Sequence, residues 1–146
     1  MAAQLWLLRH GEAVGHAASD AARDLTAVGE EQAREAGRAL AARGLDFGAV
    51  YTSPKLRARR TAELAGALLG VEPIVHEPLR EGFSARDAQE LLLGAGDRAV
   101  LVVGHNPDLG QVVFDLVGAR VRLGTGHAAG LGGGELIAVL SPGERA

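Results

Sequence analysis

The chain contains no cysteine. That excludes disulfides, thiolate metal sites and thiol nucleophiles. Lysine is nearly absent too: Lys55 is the only one, and the other basic residues are arginines. Together with the abundance of alanine and glycine, this is a compositional bias from which no function is read. No apolar run is long enough to span a bilayer. The start, Met1-Ala2-Ala3-Gln4-Leu5-Trp6, has no basic segment ahead of a long apolar one, so no secretory leader is expected and the cytoplasm is the expected location. A large excess of one charge is also missing. The net charge is -3, which gives no broad basic field for nucleic acid and leaves small or protein-sized partners met at a local site.

The composition that remains is ordinary for a folded protein: 47% hydrophobic and 23% charged residues in a chain of 146. With no internal repeat, linker or low-complexity segment, a single domain over residues 1–146 is expected. Its oligomeric state is not legible in the sequence.

The pattern of elements alternates. Gln4 to Leu8 reads as a buried strand and Val14 to Asp24 as a loop. Thr26 is a good N-cap for a helix that carries Glu30 and Glu31 near its positive end and stops at Gly44. Val28, Ala33, Ala36, Leu40 and Ala41 can share its buried face. Phe47 to Thr52 reads as a second strand. Ser53-Pro54 then reads as an N-cap followed by a first-position proline, opening a helix to Leu69 before Gly70. Ile74 and Val75 form a short strand. Ser84 to Asp87 resembles a capping box for a helix through Leu93. Ala99 to Val103 is a continuous apolar strand, and Asn106-Pro107 repeats the cap-and-proline device for a helix to Val117. Gly130 to Gly134 reads as a hairpin turn before a last strand, Glu135 to Leu140. Such alternation predicts an α/β three-layer sandwich with a mostly parallel central sheet.

In open α/β sheets the ligand site lies beyond the carboxyl ends of the strands. Three segments fall there: Arg9-His10-Gly11, Ser53-Pro54-Lys55-Leu56-Arg57 and Gly104-His105-Asn106-Pro107. Two histidines and two arginines can therefore converge. A phosphoryl group in transfer spreads charge over its oxygens, and fixed donors aimed at them lower the barrier. The planar fork of arginine binds two oxygens at once. A helix N-terminus adds N–H groups, and a neutral imidazole can hold the phosphoryl group covalently. This chemistry requires neither a metal nor an organic cofactor, and metal-ligand spacing of the His-x-x-x-His kind is absent.

These segments resemble the motifs of the histidine phosphatase superfamily, which includes the cofactor-dependent phosphoglycerate mutases. Leu8-Arg9-His10-Gly11-Glu12 looks like its signature. Ser53 to Ala62 resembles the second motif, with its phosphate-binding arginine, and Gly104-His105-Asn106 the third, with its second histidine. Asp24-Leu25-Thr26 with Gly29 matches a further feature of the family. The resemblance implies a phosphoglycerate mutase-like fold. It also implies His10 as the nucleophile that becomes phosphorylated, Arg9 and Arg57 as ligands of the phosphoryl oxygens, and His105 as the group completing the pocket. Gly70 to Arg98 is short, whereas mutases and many small-molecule phosphatases carry longer insertions there that cover the substrate. The chain is thus most similar to the small phosphohistidine phosphatases of the SixA type, and the implied partner is a phosphorylated signalling protein.

Larger relatives place a glutamate after the second motif as general acid. Glu81 is the candidate by position, although small phosphohistidine phosphatases generally lack a clear equivalent, and imidazole needs less protonation than an alkoxide to leave. Arg57 is expected one turn into its helix, facing the strand ends. Glu12 and Asn106 read as structural, Asn106 as a cap. His16, His76 and His127 read as loop or solvent-facing, with His127 near the pocket rim. Two other functions stay open: hydrolysis of a small phosphomonoester or sugar phosphate, and phosphate binding without turnover.

Overall fold

The computed structural model describes residues 3–142. Its elements are β1 (Leu5–Arg9), α1 (Ala27–Ala41), β2 (Phe47–Thr52), α2 (Leu56–Leu69), β3 (Pro73–Val75), α3 (Ala85–Leu93), β4 (Ala99–Gly104), α4 (Asp108–Val117), β5 (Ala128–Gly132) and β6 (Glu135–Leu140). They build one six-stranded sheet in the order β3-β2-β4-β1-β5-β6. The first four in that order run parallel, β5 runs antiparallel to β1, and β6 runs antiparallel to β5.

Side chains alternate across a strand, so β1 feeds two cores. Leu5 and Leu7 pack with Leu109, Val112 and Val113 of α4 and Ala88 of α3. Trp6 and Leu8 pack on the other face with Ala36 and Leu40 of α1 and Ala58, Ala62 and Ala65 of α2. This is the expected three-layer sandwich. β4, buried along its whole length, lies between β2 and β1 and is covered on both sides. Its unbroken apolar run is what that position demands.

The caps divide into two groups. Thr26 accepts from the Gly29 N–H and Ser84 forms its capping box with Asp87, as the sequence predicts. Each such cap stabilises its helix by about 1 kcal/mol. The two cap-and-proline devices do not act as caps. α2 begins at Leu56 with Lys55 as N-cap, and α4 begins at Asp108 with Pro107 in that place, neither with a side-chain cap bond. Arg57 is consequently the second residue of its helix and not one turn in. Other corrections are smaller. Val28 and Ala41 are exposed, because the buried stripe of α1 runs through Gly29, Ala33, Ala36, Gly37 and Leu40. α1 ends at Ala41, three residues before Gly44. The segment read as a turn from Gly130 is strand up to Gly132, and the turn is Gly133-Gly134, both with positive φ as a tight hairpin requires.

Candidate active site

β1, β2 and β4 end side by side, and their successors meet above the sheet edge. The His10 N–H donates to Gly104 O at 3.1 Å and the Ser53 N–H to Val103 O at 3.0 Å, so the three motif segments are stitched through their backbones. A second stitch uses a side chain. Thr61, fully buried on α2, accepts from the Gly11 N–H at 3.0 Å and donates to Arg57 O at 2.8 Å, which locks α2 to the loop holding His10. Gly11 and Gly29 supply the third. A Cβ on Gly11 would clash with Gly29 O, and one on Gly29 would clash with Glu12 O. The N-terminus of α1 therefore lies directly against the backbone after His10. Glu12 serves that contact, its carboxylate accepting from the Thr26 hydroxyl at 2.9 Å.

His10 and His105 are both buried, with ring centroids 5.2 Å apart. His10 Nδ1 lies 2.7 Å from Gly11 O. A carbonyl only accepts, so Nδ1 carries the ring proton and Nε2 keeps its lone pair. Burial, reinforced by Arg57, Arg9 and Arg23, outweighs the Gly11 carbonyl and pushes His10 down to about 4. His105 is pushed down to about 3, again by burial first, then by His10, Arg57 and Lys55. Both rings are uncharged at neutral pH. His105 Nε2 meets Ser53 Oγ at 2.7 Å, and the same oxygen accepts from the Lys55 N–H at 3.2 Å, so Ser53 braces the turn ahead of α2 and not the helix itself.

The cations stand in contrasting surroundings. Arg9 donates from Nη1 to Leu123 O at 3.0 Å, its Nε has no partner, and no carboxylate pairs with it among the described residues. Burial lowers its pKa. Such a guanidinium is a ready receptor for an anion. Arg57 is paired: Nη1 donates to Asp20 O at 2.9 Å and Nη2 to Asp20 Oδ2 at 3.2 Å. Lys55 Nζ reaches the same oxygen at 3.2 Å, and Arg23 Nη1 lies 3.1 Å from Asp20 Oδ1. Lys55 lies in the second motif segment, whereas Asp20 and Arg23 come from the stretch that reads as a plain loop, and no sequence signal marked them. The neighbouring arginines turn elsewhere: Arg59 is exposed, and Arg60 pairs with Glu30 and Asp24.

Asn106 is not a cap; its Nδ2 donates to Leu123 O at 2.7 Å, the same carbonyl that holds Arg9. His127 is half-buried and hands its backbone carbonyl to the Arg9 N–H, while His76 lies between the rings of Tyr51 and Phe83. His16 is exposed. Glu81 is also exposed, and none of its side-chain atoms is hydrogen-bonded to His10, Arg57 or His105; the neighbouring Gly82 N–H bonds Asp108 at the start of α4. An apolar cleft of about 760 Å³ lies among Leu5, Leu92, Leu93, Leu116 and Leu131. It sits at the opposite end of β1, roughly 17 Å from His10 at strand rise, and its lining offers no titratable side chain.

The family model of the histidine phosphatase superfamily, branch 1, matches residues 5–92. The chain belongs to that superfamily. The match includes His10 and Arg57 and stops short of His105, which the fold brings in. Among curated relatives of this histidine phosphatase, an uncharacterized protein of Picosynechococcus is 36% identical, covering 90% of this chain and 86% of its own. The phosphohistidine phosphatase SixA of Escherichia coli is 34% identical, covering 77% of this chain and 73% of its own. Among solved structures, the protein histidine phosphatase SixA in complex with tungstate superposes with a TM-score of 0.83 at 28% identity, covering 95% of this chain and 97% of that one.

Proposed function

We propose that this protein removes phosphoryl groups from phosphohistidine on a signalling protein, through a covalent intermediate on His10. The observation that carries the reading is the state of His10: proton held on Nδ1 by Gly11 O, lone pair left on Nε2, and the charges of Arg57, Arg9 and Arg23 felt at the ring. In the first step Nε2 attacks phosphorus, the Nε2–P bond forms, and the bond from phosphorus to the substrate imidazole breaks. Arg9 and Arg57 hold the oxygens, and His105 stabilises the group in transit. Water then attacks phosphorus and the Nε2–P bond breaks, releasing inorganic phosphate and free His10.

Two features favour phosphohistidine over an ester. The segment between β3 and β4 carries only a 3-10 turn, Glu77–Leu79, and the short helix α3, so an imidazole displayed on a protein surface can approach. Imidazole also leaves with little help, which suits a site where the candidate acid, Glu81, is exposed. The similarity to SixA, a phosphohistidine phosphatase crystallised with the tetrahedral oxyanion tungstate, agrees with both.

The test is a panel of phosphohistidine-bearing proteins against small phosphoesters and sugar phosphates. Faster turnover of the proteins is expected; equal or better turnover of small esters would replace this reading with a small-molecule phosphatase. Brief reaction with labelled substrate should leave acid-labile, base-stable phosphate on the enzyme. His10→Ala should lose both label and turnover, and an active His10→Ala enzyme would end the covalent mechanism.

A further inference from the structure

Four cations surround the pocket: Arg9, Arg23, Lys55 and Arg57. One carboxylate, that of Asp20, touches three of them. Its position is not that of an ordinary surface pair. The Arg57 side chain is 8% exposed and that of Asp20 57% exposed, so Asp20 stands between the buried guanidinium and solvent. The loop bearing it is held in place on its own account. The Val14 N–H donates to Asp24 O at 2.8 Å and Arg23 Nε to Val14 O at 2.7 Å, closing residues 14–24 into an excursion that returns over the start of α2. Hydrogen bonds from Arg23, Lys55 and Arg57 hold the Asp20 carboxyl well below the usual carboxylate range, so it stays ionised.

A tetrahedral oxyanion bound by Arg57 and Lys55 needs the donors that Asp20 Oδ2 now uses. Unlike the carboxylate, the Asp20 carbonyl is neutral, and it keeps hold of Arg57 Nη1 whatever happens to the side chain. We propose that Asp20 is the counter-ion of the phosphate pocket: its carboxylate competes with phosphate oxygens for Arg57 and Lys55, and so keeps the enzyme from retaining inorganic phosphate, its product. This rests on the reading of the His10 pocket as a phosphoryl site. A site of four cations without that carboxylate would bind free phosphate more tightly and be inhibited by it. A phosphoryl group presented on a docked protein gains affinity from contacts elsewhere, so the same competition weighs less on substrate than on product.

Asp20→Asn removes the charge and leaves the backbone contact and the side-chain shape. Calorimetric titration of the intact protein with inorganic phosphate should show binding tightened roughly fivefold or more, the scale of one partly screened charge contact. The gain should shrink as salt is added, which a purely structural effect would not do. In turnover assays the variant should be inhibited at correspondingly lower phosphate. Phosphate binding that Asp20→Asn leaves unchanged or weakens, in a protein whose wild type binds phosphate, would overturn this proposal alone. Absence of phosphate binding in both proteins would overturn the phosphoryl-site reading with it.

Discussion

A buried imidazole that acts only without its proton has its acid limit set by its surroundings. His10 is pushed down to about 4 and His105 to about 3, in both cases chiefly by burial. In the unfolded chain both would take up a proton near pH 6.5, the ordinary value. Between there and about pH 4 the unfolded state therefore binds more protons than the folded one. The contribution of these two rings to stability is complete above about pH 6.5 and is lost as pH falls through that window. NMR titration in phosphate-free buffer should find both rings still neutral at about pH 5. A His10 ring that titrates near 6.5 would contradict the burial argument. Arg9 shows the same physics in a cation: half-buried and without a carboxylate partner among the described residues, it is held in readiness for an anion.

Close approach of backbones decides the element scale. α1 can lie against the loop after His10 only because both contact points, Gly11 and Gly29, lack a side chain. Gly29→Ala should therefore cost about 1–3 kcal/mol or more by overpacking and lower turnover by moving His10. Gly15→Ala is the control, since nothing lies within 4 Å of the added methyl; it should be neutral or slightly stabilising. Denaturant melts with rate measurements on both variants check the pair. The failed caps belong to this scale as well. Ser53-Pro54 and Asn106-Pro107 have the composition of helix starts, and helices do follow them. Ser53 Oγ is shared between His105 Nε2 and the Lys55 N–H just ahead of α2, and Asn106 Nδ2 goes to Leu123 O, so neither side chain bonds an N–H inside the helix that follows it.

For the whole molecule, a net charge of -3 conceals a cationic pocket. A phosphoryl group should be drawn to that pocket and the attraction should be screened, so raising ionic strength from about 0.05 to about 0.5 M should raise KM several-fold and leave kcat nearly unchanged. Steady-state kinetics at the two strengths check it, and a salt-independent KM would deny the local field a role. The order of strands and helices, the buried run of β4 and the motif segments holding His10, Arg57 and His105 could all be read along the chain, because side-chain periodicity and turn chemistry are local properties. What only the tertiary structure decided is who meets whom. The sheet order β3-β2-β4-β1-β5-β6 puts β1, β2 and β4 side by side and so gathers residues 9 to 105 into one pocket. The loop of residues 14–24, featureless as sequence, returns Asp20 onto Arg57, 37 residues away. No local pattern encodes that pairing, since it arises from charges that become neighbours only when the chain has folded.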